Sequence, residues 1–315
     1  MSTYVLRKGI AALADLKDGY ASILAAANNI YHVDKNHASA SDVNSGLDRN
    51  KPLLTITQAY NNCTDSLGDV IIIHGANTRY RETDTLTIAK DGITILGDGW
   101  GCEWNNNGKA GGYVVKVAAK GVRIANIQLS VNDSGGGIYV GDNGDDSNAS
   151  LCMIENCFIR GDWLNESTGY PGAGILKGVY NYGASLMTLR NCHIWGWTDG
   201  VWIQDGVTRT SYGAHIYGNY ITMCSHYGIH WEGLGYTSVI DSNVLWDIKA
   251  SINFTYAIHL AESTGGIMVS GNKIGAANPV YDSGDLNYWC GNFIRATEAA
   301  SETQAVGMCA IDAVV

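Results

Sequence analysis

The chain has 315 residues, of which 46% are hydrophobic, so it can build a sizeable core and wholesale disorder is excluded. No segment approaches the ~18 apolar residues of a transmembrane helix, so we expect no membrane partner. The first ten residues lack the apolar centre of a secretory signal, so we do not expect secretion. The net charge of −10 disfavours a nucleic-acid partner, because an acidic surface repels phosphates.

The N-terminal segment, residues 1–30, contains the one strongly helical stretch of the sequence, at residues 5–29, where alanine runs favour helix. A partial apolar stripe is formed by Leu13, Leu16, Ile23 and Leu24. Two interpretations stay open for this helix. It packs beside the rest of the chain, or it anchors the protein to a larger assembly.

Residues 31–69 are predicted to form an N-terminal cap. Within them, Pro52 to Asn62 fit a short helix with Ile56 and Ala59 on its inner side. A helix here would cover the open end of the repeats that follow, whose strand edges would otherwise be unpaired.

Residues 70–295 repeat one phrase: an apolar residue, two variable residues, an asparagine, a variable residue and another apolar residue. The asparagines of the phrase are Asn126, Asn156, Asn191, Asn219, Asn243, Asn272 and Asn292. The sequence is also rich in glycine (39) and asparagine (26), the residues that best tolerate left-handed backbone. Frequent tight turns and an all-β fold are therefore predicted.

A second phrase lies between the asparagine phrases and consists of a small residue followed by a short alternating strand. Its copies begin at Gly137, Gly174, Gly200, Gly228 and Ala257. Two phrases in fixed order predict a solenoid of about eight coils, stacked by parallel pairing at ~4.8 Å. The asparagines expected to stack inside it as a ladder are Asn156, Asn191, Asn219, Asn243 and Asn272.

The alternation of the two phrases over residues 90–295 resembles the right-handed parallel β-helix of the pectate-lyase-like superfamily. In that fold each coil has three strands, and the asparagine turn separates the second from the third. Residues 31–97 resemble the cap of bacterial polysaccharide lyases and of phage virion β-helix proteins. The expected fold is thus an all-β, right-handed parallel β-helix with an N-terminal helix and cap, and residues 296–315 would cover its other end.

Strand alternation predicts one outward column on the second phrase. Its members are Tyr139, Leu176, Trp202, His230 and His259. Gln204 and Glu232 follow in the next outward column. In the family that the chain resembles, this face forms the substrate groove, and rings with polar edges suit a sugar. The alternative is an ordinary mixed outer surface, since Tyr, Trp and His are common on exposed strands.

Carboxylates near that face are candidates for acid–base catalysis, above all Asp205, Glu232 and Asp199. Aligning the coils predicts one column of Asp142, Val179, Asp205, Gly233 and Glu262. In it Asp205 and Glu262 lie two coils apart, roughly 9.6 Å, which is marginal for an inverting glycosidase. Asp205 and Glu232 on neighbouring coils can be closer. The alternative is that these residues only make turns at strand ends.

Lys177 falls in an inward position in this alignment, which a strand ending at Leu176 would explain. It resembles the lysine that some β-helix lyases use as a base, although no neighbouring motif supports the match. The arginine and aspartate signatures of well-known pectate lyases are missing from the sequence, as are the Asp-Asp and Gly-His-Gly motifs of polygalacturonases. These absences count against either named activity.

No cofactor is expected, although the loop with Asp142, Asp145 and Asp146 can supply oxygen ligands for calcium. A solvated turn is the other interpretation of this loop, because its glycine does not fit an EF-hand. The eight cysteines form no CxxC pair, and reduced, buried thiols are expected. Cys157 and Cys192 are predicted at equivalent positions of successive coils.

Two functions from different classes follow from the resemblance. The first is a virion-associated phage subunit, tail-spike-like or capsid-decorating, that binds surface glycans and is assembled in the host cytoplasm. Its partners would be a polysaccharide and other virion proteins, with a homotrimer as one possible assembly. The second is a polysaccharide lyase or glycoside hydrolase that cleaves its substrate in the groove. The missing secretory signal favours the first.

Overall fold

A computed structural model gives the structure of the protein. It describes residues 20–76, 78–82, 84–99, 101–106, 111–132, 134–141, 149–161, 176–207, 209–246, 254–295 and 310–311. These residues form three sheets of short strands wound into an all-β, right-handed parallel β-helix, with two short helices, α1 (Tyr20–Ala26) and α2 (Ile56–Asn62). Neither of the helices described is long and apolar enough to cross a membrane.

Each sheet is given below in its spatial order. Sheet II has eleven strands: β1 (Ile30–Val33), β2 (Val70–Ile73), β5 (Thr94–Gly97), β8 (Arg123–Ala125), β11 (Met153–Glu155), β14 (Thr188–Arg190), β17 (His215–Tyr217), β20 (Val239–Asp241), β23 (Met268–Ser270), β26 (Tyr288–Cys290) and β28 (Ala310–Ile311). Sheet III has nine strands: β3 (Tyr80–Arg81), β6 (Glu103–Asn105), β9 (Gln128–Ser130), β12 (Phe158–Arg160), β15 (His193–Trp195), β18 (Tyr220–Thr222), β21 (Val244–Trp246), β24 (Lys273–Gly275) and β27 (Phe293–Arg295). Sheet I has eight strands: β4 (Leu86–Ile88), β7 (Tyr113–Val117), β10 (Gly136–Gly141), β13 (Lys177–Tyr182), β16 (Asp199–Gln204), β19 (Tyr227–Glu232), β22 (Tyr256–Leu260) and β25 (Val280–Asp282).

Successive strands visit sheets II, III and I in turn, so β2 to β25 make eight full coils. Strands of neighbouring coils pair in parallel, whereas β28 pairs antiparallel with β26. Because side chains alternate along a strand, every second residue of a strand points into the interior and packs there against its equivalents in the other coils. In sheet II the inward positions are filled in register by buried aliphatic residues: Ile154, Leu189, Ile216, Ile240 and Val269.

The asparagine ladder is present in the later coils, where Asn219, Asn243, Asn272 and Asn292 are buried. Each side-chain Nδ2 donates to Oδ1 of the next asparagine, at 2.9 Å, 3.0 Å and 2.9 Å along the series. The same Nδ2 atoms also donate to backbone carbonyls of the preceding coil, such as Ile216 O. The ladder therefore satisfies polar groups that the turns would otherwise bury without partners.

The ladder prediction was wrong for Asn156 and Asn191. The strand register places Cys157 and Cys192 at the ladder position, one residue later, as equivalent residues of successive coils. Asn156 and Asn191 take the left-handed turn itself, with φ of 52° and 53°, where the next coil has Gly218. A short sequence phrase does not separate these two adjacent positions, since asparagine suits both.

Replacing Asn243 with alanine is expected to lower the free energy of unfolding by about 1–3 kcal/mol, because it leaves buried ladder groups unpaired. Its Oδ1 accepts from Asn219, and its Nδ2 donates to Asn272 and to a backbone carbonyl. Urea unfolding measures the change. Asn191→Gly is the matched control and should cost little, since glycine accepts the left-handed turn. Equal losses in both variants would contradict the ladder's role.

The N-terminal cap contains the predicted short helix as α2, whose residues Ile56 and Ala59 are fully buried against the first coil. Thr55 caps the helix, with Oγ1 accepting from Gln58 N at 3.1 Å. The carboxylate of Glu82 accepts from Ile56 N at 3.0 Å. The helix start is therefore tied to the coil that it covers.

Helix α1 packs on the outer side of sheet II. Tyr20 is buried against Leu96 and Ala125, with Ile23 and Leu24 packed beside them. Its hydroxyl accepts from Asn156 Nδ2 at 2.9 Å. The described part of the predicted helix thus contacts the solenoid. Leu13 and Leu16 lie outside the described residues, so anchoring stays a prediction.

The expected positions of Leu176 and Lys177 were wrong. Strand β13 begins at Lys177, and Tyr180, not Leu176, pairs with Tyr139 and Trp202 in the outward column. The pattern was obscured because Asn181, a polar residue, points inward. Its side chain is buried and exchanges two hydrogen bonds of 2.9 Å with the backbone of Ala184.

Candidate functional site

The outward face of sheet I carries six rings in register, one from each of six successive coils. We call them the aromatic column: Tyr139, Tyr180, Trp202, His230, His259 and Tyr281. Parallel pairing without register shifts forces this alignment at ~4.8 Å per coil, because equivalent residues of all strands face the same side. The predicted members Tyr139, Trp202, His230 and His259 are brought together as expected.

The rings of the aromatic column contact one another. Trp202 and His230 have centroids 4.4 Å apart, His230 and His259 4.6 Å, and His259 and Tyr281 5.1 Å. Exposure varies along the column, since only 3% of His230 reaches solvent but 44% of Tyr281 does. The middle of the column is therefore rigid and tightly packed, and Trp202 beside it is half-buried.

His230 is a neutral ring at the centre of this packing. Burial, followed by the charges of His259, His226 and Lys177, lowers the pKa of His230 to about 3. Its Nε2 lies 3.3 Å from Glu232 Oε1, without hydrogen-bond geometry. Neither ring nitrogen of His230 has a hydrogen-bond partner in the part of the chain that the structure describes.

Lys177 lies on the outside, beside the aromatic column. Its ammonium is 4.0 Å from the ring centroid of Trp202 and 4.9 Å from that of Tyr180, in cation–π geometry. Burial lowers the pKa of Lys177, while the charges of Asp199 and Glu232 oppose that change. The sequence alignment gave this residue an inward position and explained it by a strand ending at Leu176, so its place in the site was missed.

Glu232 is the accessible carboxylate next to Trp202, with 35% of its side chain exposed. Its Oε2 accepts from Trp202 Nε1 at 3.2 Å, which ties the indole ring to the strand. Gln204 lies beside it on the neighbouring strand, where Gln204 Oε1 accepts from the Tyr180 hydroxyl at 2.6 Å. The second outward column thus lines the rings with polar groups, as predicted.

Asp199 is buried, and its Oδ1 lies 3.0 Å from Nδ1 of His226. Burial raises the pKa of the Asp199 carboxyl, against the charges of His226 and Lys177, which lower it. The carboxylate therefore orients His226 and balances the lysine. Its solvent access is small.

Asp205 lines a shallow depression of about 610 Å³ at the end of the outward columns. The other lining residues are Gln204, Glu232, Gly233, Ala261, Glu262 and Ser263. Both carboxylate oxygens of Asp205 accept backbone N–H groups, from Ser211 at 2.7 Å and Leu234 at 2.9 Å. These bonds hold two turns together and favour the turn-making interpretation of Asp205.

The predicted carboxylate column needs one correction. Val179 pairs with Val201 and is buried in the interior, whereas the pairing of Tyr182 with Gln204 places Gly183 level with Asp205. The error has the same cause as that for Leu176, namely the register of β13. Asp142, Asp145 and Asp146 of the calcium loop lie outside the described residues. Among the residues that are described, no cluster of His, Cys, Asp or Glu is arranged to hold a metal ion.

A larger cavity of about 700 Å³ lies at the N-terminal cap, away from sheet I. Several of its charged side chains are already engaged in contacts within the protein. Arg79 Nε lies 2.9 Å from Glu103 Oε1, and Glu82 accepts from the start of α2. The cavity is therefore a weaker candidate for a ligand than the outward face of sheet I.

Stability is expected to fall as the pH is lowered from about 7 to 4. Burial lowers the pKa of His230 to about 3 and that of His32 to about 4, from an ordinary 6.5. As the pH falls, these histidines become protonated in the unfolded chain before they do so in the folded protein. Their contribution to the free energy of unfolding is therefore complete above a pH of about 6.5 and is lost at lower pH. His230→Gln should flatten the dependence of Tm on pH. His215→Gln, at an exposed position, is the control, and an unchanged slope for His230→Gln would contradict the prediction.

Comparison with known proteins places the fold among solenoids. A family model described as "Right handed beta helix region" matches residues 91–274. No curated protein sequence matches the chain.

Solved structures with a similar fold include a pectin methylesterase in complex with a hexasaccharide, with a TM-score of 0.53, 12% identity, and coverage of 88% of this chain and 91% of that one. The Dettilon tailspike protein gives a TM-score of 0.49 at 15% identity, covering 84% of this chain, which spans 62% of the tailspike's length. An alginate lyase from Paenibacillus gives 0.39 at 13% identity, with coverage of 76% and 92%. At these identities the likeness concerns the fold.

Proposed function

Because the chain belongs to the right-handed β-helix family, we propose that it is a glycan-binding protein whose binding surface is the aromatic column on sheet I. The observation that carries the proposal is the setting of Trp202. A half-buried indole lies in line with further rings and next to polar and charged side chains, on a rigid parallel sheet. Such a surface offers a sugar an apolar face to stack on and edge groups to bond.

The Trp202 ring is held in place before any ligand arrives. His230 packs against it at 4.4 Å and Tyr180 at 6.3 Å, and its Nε1 donates to Glu232. A ring fixed by three neighbours loses little conformational freedom when a sugar stacks on it. Preorganisation of this kind raises affinity, because less ordering is needed on binding.

The charges beside Trp202 indicate a ligand with hydroxyl and acidic groups. Lys177 brings an ammonium to the ring, and Glu232 and Gln204 bring acceptors on the next column. The ammonium can pair with a sugar carboxylate, while the acceptors suit hydroxyls. An acidic polysaccharide is therefore the ligand class that we expect to bind best.

We propose further that the protein belongs to a phage virion, as a tail-spike-like or capsid-decorating subunit together with other virion proteins. This part of the proposal is supported by the resemblance of residues 31–97 to caps of phage β-helix proteins. An antibody against the chain should label purified particles of the phage that encodes it. Labelling of the host lysate without the particles would contradict the placement.

The binding function is tested with a panel of acidic and neutral polysaccharides, by affinity electrophoresis and calorimetry. Trp202→Ala should weaken binding by about 5- to 30-fold, the loss of one stacking platform worth ~1–2 kcal/mol. Its Tm should change little, since the ring points outward. Tyr212→Ala removes an exposed aromatic outside the sheet and is the matched control. Equal affinities of the two variants and the parent would overturn the proposal.

Cleavage of the bound glycan is the alternative function, favoured by the position of Lys177 between Trp202 and two carboxylates. An amine whose pKa is lowered by burial is suited to proton abstraction, and Glu232 is accessible enough to exchange protons. A lyase would produce unsaturated ends that absorb ultraviolet light, and a hydrolase would produce saturated reducing ends. Glu232→Gln should then abolish cleavage while binding persists. Lys177→Met should also abolish cleavage, and it should in addition weaken binding of acidic glycans, because the ammonium that pairs with their carboxylates is lost. Intact polysaccharide after prolonged incubation with the parent would exclude this alternative.

A further inference from the structure

The outward face of sheet III is a second aromatic surface, on a different side of the solenoid from sheet I. In its strands β12, β15, β18, β21 and β24, which this surface comprises, each strand has three residues, and the middle one is buried in the core, as for Ile159, Ile194 and Ile221. The first and third residues of each strand therefore face outward. The first column consists of Phe158, His193, Tyr220, Val244 and Lys273, and the second of Arg160, Trp195, Thr222, Trp246 and Gly275.

Trp195 and Trp246 are half-buried and stand two coils apart in the second column. Their strands are separated by two spacings of the sheet, roughly 9.6 Å. That separation is close to the length of one disaccharide unit in an extended polysaccharide. Thr222 between them is fully buried although it holds an outward position, so the two rings flank a covered residue.

The ring of Trp246 lies flat on the sheet. A Cβ atom placed on Gly275, its neighbour in the next coil, would come within 2.4 to 2.6 Å of the indole carbons. Only glycine leaves room for a ring in this position. Trp246 is only half-buried, so part of the indole remains accessible to a sugar that stacks on it.

The charge of this face differs from that of the whole chain. Across the described strands β12, β15, β18, β21 and β24 the outward charged residues are Arg160 and Lys273, and none is a carboxylate, although the net charge is −10. The guanidinium of Arg160 lies 5.7 Å from the Trp195 ring centroid. His193 Nε2 is buried without a hydrogen-bond partner among the described residues. Basic groups beside stacked rings suit the acidic groups of a polysaccharide.

We propose that the outward face of sheet III is a second polysaccharide-binding surface, which takes an extended acidic chain running along the solenoid axis with sugar faces on Trp195 and Trp246. It does not depend on the aromatic column of sheet I. Two surfaces on one rigid body can bind two segments of polysaccharide, and the second segment then binds at a high effective concentration.

The test uses the full chain in a Trp202→Ala background, so that binding at sheet I is already weakened. Sodium alginate and polygalacturonate are the acidic probes, hydroxyethylcellulose is the neutral one, and affinity is measured by affinity electrophoresis. Adding Trp246→Ala should weaken binding of an acidic probe by a further 5- to 30-fold or so, and adding Trp195→Ala to that should leave only the residual binding of sheet I. Adding Tyr212→Ala instead should change nothing. Thermal melting verifies that each variant is folded. If Trp246→Ala does not fold, Trp246→Phe replaces it in the test, and a smaller loss of affinity is then expected.

The outcomes separate this proposal from the one for sheet I. Loss of binding with Trp246→Ala supports the sheet III surface whether or not Trp202→Ala alone had any effect. Equal affinity with and without Trp246→Ala overturns it, as does binding of the neutral probe alone or of no probe. A change in molecular mass in solution without a change in polysaccharide binding also overturns it, because the face would then be a subunit contact.

Discussion

Replacing Glu155 with alanine is expected to lower the free energy of unfolding by about 3–5 kcal/mol, the usual loss when one member of a buried ion pair is removed. The Glu155 side chain is 1% exposed and lies between Arg123 and Arg190 on the outer side of sheet II. Arg190 Nε donates to Glu155 Oε2 at 2.7 Å, and Arg123 pairs with Oε1. Without the carboxylate, two partly buried guanidinium groups would face each other without a counter-charge.

The position of α1 adds to this effect, since Arg123 lies 4.8 Å from the ring centroid of Tyr20. Urea unfolding measures the loss, and Glu262→Ala, which removes an exposed carboxylate, is the matched control. The control should stay within about 0.5 kcal/mol of the parent. Glu155→Gln keeps the shape but not the charge and should fall between the two. A loss below 1 kcal/mol for Glu155→Ala would show that the cluster contributes little to stability.

Truncating Trp231 to alanine is expected to cost a similar amount, about 3–5 kcal/mol, because it leaves a large cavity in the core. Trp231 is fully buried in β19, in register with Ile203 and Leu260 of the neighbouring coils. A parallel solenoid relaxes poorly around such a cavity, since every coil is held by hydrogen bonds on both sides. Trp202→Ala, on the same sheet but facing outward, is the control and should cost much less.

Trp231→Phe separates volume from polarity. Trp231 Nε1 is buried without a hydrogen-bond partner among the described residues, and that orphaned donor already costs free energy in the parent. Phenylalanine removes the donor together with part of the volume, so the loss should be well below that of Trp231→Ala. A loss as large as that of the alanine variant would contradict this expectation.

Much of the candidate site follows from the sequence because of strand alternation. Once the phrase beginning at Gly200 is read as a strand, Trp202 must face outward, and the same holds for His230 and His259 one and two coils later. Lys177 and Tyr180 were missed because two glycines, Gly174 and Gly178, lie four residues apart and only one begins the phrase. An apolar residue at position 181 would have marked the inward positions of this strand and shown that Gly178 begins the phrase. Asn181 is polar, so the sequence does not show this.

The roles of the carboxylates could not be predicted from the sequence. Asp205 and Glu232 both lie at the end of the phrase, one position apart, but Asp205 accepts two backbone N–H groups and Glu232 remains accessible beside Trp202. Those bonds come from Ser211 and Leu234, which lie in turns of two different coils. Partners of this kind depend on how the loops close, and strand periodicity carries no information about loop closure.

The sequence by itself determined that this chain is a stacked parallel solenoid, because two short phrases recur in a fixed order with inserts of variable length between them, and stacking similar coils buries the apolar residues of each. It also determined which of the strand residues in well-recognised coils face outward. Only the tertiary structure decided which asparagines occupy the left-handed turn and which stack in the ladder. The same holds for the position of Glu155 between two arginines of neighbouring coils. It also holds for the placement of Trp195 and Trp246 on one face of sheet III. Each of these depends on the register between coils. Inserts of variable length conceal that register in the sequence, and backbone hydrogen bonding between coils fixes it in the fold.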